Sequence, residues 1–147
     1  CSLLAPPAPS SAQASFGGQW ERIEGIADRP LFSGGRIEQS AETVVVTADP
    51  PNRLFQEPWV FRLDGTETRY THGNVRGDET WIVDARARWV GTTLQINTTT
   101  TRSGAVTGSW EAVMTMFVDK EGRLVIERNE PTLQGTSTTL RTIYRRK

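Results

Sequence analysis

Few residues in this chain are suited to chemistry. It has one histidine, His72, and one cysteine, Cys1. A nucleophilic triad needs an imidazole set between a nucleophile and an orienting carboxylate. His72 stands in Thr71-His72-Gly73-Asn74, and no nucleophile-elbow spacing surrounds any of the many Ser and Thr residues. Pairing His72 with Met114 or Met116 would suit a haem iron. No Cys-x-x-Cys-His run accompanies them, and both methionines share the apolar face of one strand, where Met ordinarily fills gaps in a core. His72 therefore reads as an exposed loop residue. One Cys and one His are too few for the usual zinc spacings, and each Asp and Glu has a turn or surface explanation that leaves no carboxylate pair of the glycosidase kind. The expectation is a non-catalytic protein with no cofactor and no metal.

Cys1 carries a different signal. The stretch behind it, with Pro6-Pro7-Ala8-Pro9 followed by Ser10-Ser11, has no charge and no hydrophobic period, and its prolines oppose both helix and strand. A cysteine followed by such a tether resembles the start of a mature bacterial lipoprotein. That resemblance implies lipid on the Cys1 sulfur and amine, and export to the periplasmic or cell-surface face of a bacterial membrane. Ser2 resembles the class sorted to the outer membrane. Two other readings stay open. Ala12-Gln13-Ala14 fits the A-x-A cleavage pattern of a secretory signal peptide, which would start the mature chain at Ser15; or position 1 is an arbitrary boundary. Residues 1–16 are expected to form the tether, residues 17–147 the folded domain, and the tether is expected to meet a protein partner as well as the membrane.

Composition narrows the partners. Lys and Arg number 17 and so do Asp and Glu, giving a formal net charge of +0. A nucleic-acid binder would show a basic excess or stripe, and the only basic cluster is Arg145-Arg146-Lys147. No nucleic acid is expected. No apolar run approaches the roughly 20 residues of a membrane-spanning helix.

The elements that must position everything else have a period of two. Trp81, Val83, Ala85, Ala87 and Trp89 alternate with Ile82, Asp84, Arg86 and Arg88; Trp110, Ala112, Met114, Met116 and Val118 alternate with Glu111, Val113, Thr115 and Phe117; Phe55, Trp59, Phe61 and Leu63 share a third face. Each run predicts a strand with one apolar side. Shorter runs at 18–24, 36–40, 43–48, 94–101, 123–128 and 136–145 are rich in Val, Ile and Thr. Asp64-Gly65, Gly91, Ser103-Gly104 and Glu121-Gly122 punctuate them, and Asp64-Gly65 predicts a hairpin to the polar run 66–70. Such strands must hide their edges. The predicted fold is all-β, an up-and-down antiparallel meander closing into a barrel of about eight to ten strands.

Gly17-Gly18-Gln19-Trp20 resembles the G-x-W opening strand of lipocalins. The hairpins Leu63-Asp64-Gly65-Thr66-Glu67, Trp89-Val90-Gly91-Thr92-Thr93-Leu94-Gln95-Ile96 and Asp119-Lys120-Glu121-Gly122-Arg123-Leu124-Val125-Ile126 are similar to those of small exported bacterial proteins with lipocalin-like or avidin-like folds. The likeness covers about residues 17–146. It implies a basic residue near the chain end lying over Trp20, either Arg145 or Arg146. It also implies a possible aromatic cavity for a small hydrophobic ligand, with Trp59, Trp81, Trp89, Trp110 and Met114 as walls and the small residues Ala85 and Ala87 leaving room. Barrel core is the competing reading of the same residues. Arg22 and Glu57 fall in register with apolar neighbours and read as buried polar residues needing partners, unless a bulge turns them outward. Arg128 shares a face with Leu124 and Ile126, and 98–101 reads as a Thr-rich strand end on an exposed surface. The functional expectation is a lipid-anchored accessory or structural subunit of a membrane-associated assembly, with a carrier of a small hydrophobic ligand as the alternative.

Overall fold

The computed structural model describes residues 15–24, 33–50, 57–73, 79–104, 107–131 and 136–147. Ten strands follow one another: β1 (Gly18–Glu24), β2 (Gly34–Gln39), β3 (Thr43–Ala48), β4 (Trp59–Arg62), β5 (Thr68–Gly73), β6 (Thr80–Val90), β7 (Thr93–Ser103), β8 (Gly108–Val118), β9 (Leu124–Pro131) and β10 (Ser137–Arg146). They form one antiparallel sheet in the order β4-β3-β2-β1-β10-β9-β8-β7-β6-β5. The first strand pairs with the last, Trp20 opposite Arg146, so the meander curls into a nearly closed barrel. This is the all-β, up-and-down architecture expected from the alternation, and no helix occurs among the described residues.

Period-two alternation sets the inner face. Trp89, Leu94, Met116 and Ile126 lie on one rung across β6 to β9, and Ala87, Ile96 and Met114 on the next. Ala87, Leu94, Ile96, Met116 and Ile126 are at most 2% exposed, and with Trp20, Val44, Phe61, Ala85, Leu124 and Tyr144 they make one continuous core. A fully buried indole removes about 200 Å² from water and contributes about 5 kcal/mol before ordering entropy is subtracted, so Trp20 alone is a large share of that core.

The end of the barrel with the short turns is plugged. Phe16, which composition places with the tether, is fully buried and stacks on Trp89 at 5.5 Å. Its N–H donates to Gln39 Oε1 (2.7 Å) and its carbonyl accepts the Trp20 Nε1–H (2.8 Å). Phe16 thus belongs to the packed barrel, because its ring and both its backbone groups are held there.

The turns follow their residue chemistry. The Asp64 carboxylate accepts the Thr66 N–H (2.9 Å); its hydrogen bonding with Thr66, the side chain first and then this N–H, holds its pKa below the ordinary carboxylate value. Asp119 accepts the N–H groups of Glu121 (3.0 Å) and Arg123 (2.9 Å) and the Arg123 Nε–H (2.9 Å). The Arg123 N–H is the leading cause of its lowered pKa. Gly91 at φ 64° and Gly122 at φ 80° take the left-handed positions of the β6–β7 and β8–β9 turns.

One junction differs from the sequence expectation. The turn at Asp64-Gly65 forms, but β4 and β5 do not pair; they are the two edges of the sheet. The barrel is held there by a side chain. The Tyr70 hydroxyl donates to the Val60 carbonyl (2.6 Å) and accepts the Val60 N–H, and the Tyr70 ring stacks on Trp59 at 4.8 Å. An aromatic side chain occupies the gap a ladder would fill. Burial raises the Tyr70 pKa, against the lowering effect of its hydrogen bonds with Thr68 and Val60.

Candidate functional site

The site grows out of the rungs above the core. Val83, Thr100 and Trp110 share one rung of β6, β7 and β8; Ala85, Thr98 and Ala112 share the next; Met114 stands opposite Arg128 of β9. Trp81 precedes them on β6, and Trp59 opens β4 across the seam. Except for Ala85 these residues enclose a cleft of about 40 Å³. It sits where β6 and β8 begin and β7 and β9 end, at the end of the barrel opposite the Phe16 plug.

Aromatic geometry fixes its walls. Trp81 and Trp110 meet edge to face at 6.0 Å and 87°. Trp59 is held flat by Tyr70 at 7° and edge-on by Phe61 at 5.7 Å. Behind Trp81, the Arg102 guanidinium lies 5.0 Å from the indole centroid and its Nη2 is 2.5 Å from Glu79 Oε1. That cation–π contact and ion pair brace the Trp81 ring from the rim.

The polar groups in the lining are few. Thr98 donates its hydroxyl to the Ala112 carbonyl (3.3 Å). Thr100 is 6% exposed. Arg128 is the one charged residue in the lining among the described residues. Arg128 and Trp59 make further contacts within the structure. No group of three or more metal-ligating side chains occurs among the described residues.

Of the residues expected to form a cavity, Trp59, Trp81, Trp110 and Met114 do line this cleft. Ala85 and Ala87 face inward but are 1% and 2% exposed; the room they leave is taken up by the core, and they lie beneath the cleft. Trp89 stands at the other end, under Phe16, with its indole N–H enclosed and without an acceptor among the described residues. Arg22 lies opposite Tyr144 just before a bulge in the β1–β10 ladder, and its Nη1 is enclosed without a partner among the described residues. Glu57 is exposed: β4 begins at Trp59, after Pro58, so the alternation that put Glu57 on the apolar face does not extend to it. His72 belongs to β5, opposite Trp81, rather than to a loop. Cys1 and Phe55 lie outside the described residues.

Four lining residues were missed: Val83, Thr98, Thr100 and Ala112. Thr98 and Thr100 face inward, contrary to the surface reading of 98–101, because they continue the inward set of Leu94 and Ile96. Val83 and Ala112 sat on the predicted apolar faces but not among the cavity residues. The signal for the threonines was the period itself, carried past the point where residues turn polar. A wider furrow of about 340 Å³ runs between Gln19, Arg36, Thr47 and Lys147; it is open, and its lining is about equally polar and apolar.

No protein-family model matches the chain, and no curated protein matches it either. The class that fold and site define is therefore the structural one: a small, nearly closed ten-stranded up-and-down barrel with a plugged end and an aromatic cleft at the other, consistent with a lipocalin-like barrel.

Proposed function

We propose that this protein is a non-catalytic accessory subunit of a membrane-associated assembly, exported and held at the membrane by lipid on Cys1. The observation that supports this reading is the filled interior. Sites that enclose drug-sized ligands measure about 300–1,000 Å³, whereas this barrel is packed from Phe16 to the level of Ala85 and leaves about 40 Å³. A barrel without a deep chamber works through its walls and rim, as a docking module does. Extraction of native membranes with mild detergent tests it: the chain should migrate with a partner, and a chain that runs alone would contradict the proposal.

A second reading has its own observation. The cleft walls are three tryptophans and a methionine, Trp59, Trp81, Trp110 and Met114, which favours recognition of one small apolar group at the rim. Tryptophan fluorescence titrated with short apolar compounds tests this reading, which predicts saturable quenching.

A further inference from the structure

The residue that plugs the barrel is not part of its wall. Phe16 precedes β1, which begins at Gly18, yet it is fully buried and its ring lies on Trp89 at 5.5 Å and 11°. Hydrogen bonds to backbone groups complete the seat. The Phe16 N–H donates to Gln39 Oε1 (2.7 Å), the Phe16 carbonyl accepts the Trp20 Nε1–H (2.8 Å), and the Ser15 carbonyl accepts an Arg146 Nη2–H (2.9 Å). A ring slot with an acceptor and two donors set for peptide groups recognises a dipeptide, any residue followed by an aromatic one. Nothing in those contacts requires that the dipeptide belong to this chain.

The seat is also imperfectly filled. The Trp89 Nε1–H is enclosed without an acceptor among the described residues. A buried donor without a partner costs free energy that water would return, so the plugged state carries a penalty that an unplugged, hydrated Trp89 does not. Gly17 and Gly18 join the plug to the wall, and glycine turns through more backbone conformations than any other residue. Phe16 can therefore swing out while Gly18 stays opposite Ile37 and Trp20 opposite Arg146.

We propose that the Phe16 seat is a docking site for an aromatic residue of a partner protein, filled in the free chain by Phe16 itself, which the partner's segment displaces. The incoming ring lies on Trp89, its N–H on Gln39 Oε1, its carbonyl on the Trp20 indole N–H and the preceding carbonyl on Arg146. The hydrogen-bonding pattern of a peptide selects a protein segment over a free aromatic compound. This site lies at the opposite end of the barrel from the aromatic cleft, so the tryptophans that respond tell the two apart.

The test is an NMR titration of the full chain and of Phe16→Ala with N-acetyl-seryl-phenylalanyl-glycinamide, with N-acetyl-seryl-alanyl-glycinamide as control, reading indole and backbone N–H signals. In Phe16→Ala the aromatic peptide should move the Trp89 and Trp20 indole signals saturably and leave Trp59, Trp81 and Trp110 in place, and the control should move none. The parent should bind about ten- to a hundredfold more weakly, its seat being open in about a tenth to a hundredth of molecules. As it fills, the Phe16 N–H signal should take the position of an unstructured chain. Phe16→Leu, which keeps an apolar plug without the ring stack, stands in if Phe16→Ala does not fold, and should bind more tightly than the parent. Equal affinity of parent and variant overturns the proposal, as does the absence of any shift at Trp89. It is also overturned if the parent's Phe16 N–H stays in place with peptide about a thousandfold above the variant's Kd, well past the competition expected; Phe16 is then a fixed part of the core. Shifts confined to Trp59, Trp81 and Trp110 overturn it too and place the peptide in the cleft.

Discussion

Arg146 and Trp20 face each other across the β1–β10 ladder, with the guanidinium 4.7 Å from the indole centroid. The same guanidinium donates to the Ser15 carbonyl (2.9 Å), and the indole below it donates to Phe16. One cation thus ties the last strand to the first and to the segment that plugs the barrel. Gly18 lies beside this contact at φ 131°, a backbone conformation that favours glycine, and a Cβ there would meet Arg146 Nε at an ordinary 3.4 Å.

Arg146→Ala should therefore lower stability by about 0.5–1 kcal/mol, the range of a cation–π contact at an exposed site, and should loosen Ser15 and Phe16. Arg145→Ala is the control. Arg145 pairs with Glu21 at the surface, where an ion pair adds little. Urea unfolding of the two variants checks the contrast, and equal losses would refute the assigned role of Arg146.

Tyr70→Phe removes both hydrogen bonds that hold the β4–β5 seam. The Val60 N–H and carbonyl then lose their partner, at a cost of about 1–3 kcal/mol. Hydrogen exchange should quicken first at Val60. The pH dependence has a definite sign. Burial raises the folded Tyr70 pKa above its ordinary 10.0, so the native state holds the proton more tightly. Its contribution is complete below pH 10 and is lost as pH rises through the folded value. The alkaline loss of stability should be shallower in Tyr70→Phe.

At the acid end Asp119 acts in the opposite sense. Its folded pKa lies below 3.8, chiefly through the Arg123 N–H. Its contribution is present above that value and disappears as pH falls through the folded value. Asp119→Ala should lower the urea midpoint at pH 7 and should match the parent protein once the solution is acid enough to protonate the native carboxyl.

Gly35→Ala should be the most damaging glycine substitution. A Cβ there would come within 2.2 Å of the Thr47 carbonyl oxygen, so β2 and β3 could not keep their register. Gly91→Ala meets open space and bears only the strain of φ +64°, costing about 1 kcal/mol. Thermal melts of both variants give the comparison.

The strands were legible because alternation is a local property. β1 and β3 were bounded correctly at 18–24 and 43–48, and the paired termini follow from the need to hide edges. The β4–β5 seam was not legible: Asp64-Gly65 specifies a turn, but whether its flanks pair depends on where the Tyr70 hydroxyl reaches. A basic residue over Trp20 was expected, and only the β1–β10 register selects Arg146 over Arg145. The cleft was half legible. Its tryptophans share the inner face with those of the plug, and Trp89 differs from Trp81 only in which end of β6 it occupies. Thr98 and Thr100 were hidden because a polar residue on an inner face looks, in sequence, like a surface strand end.

The most direct measurement is native mass spectrometry of the chain extracted from its own membranes. Lipid on Cys1 and a complex heavier than the 16.4 kDa chain are expected. A monomer with an unmodified Ser15 N-terminus would contradict it.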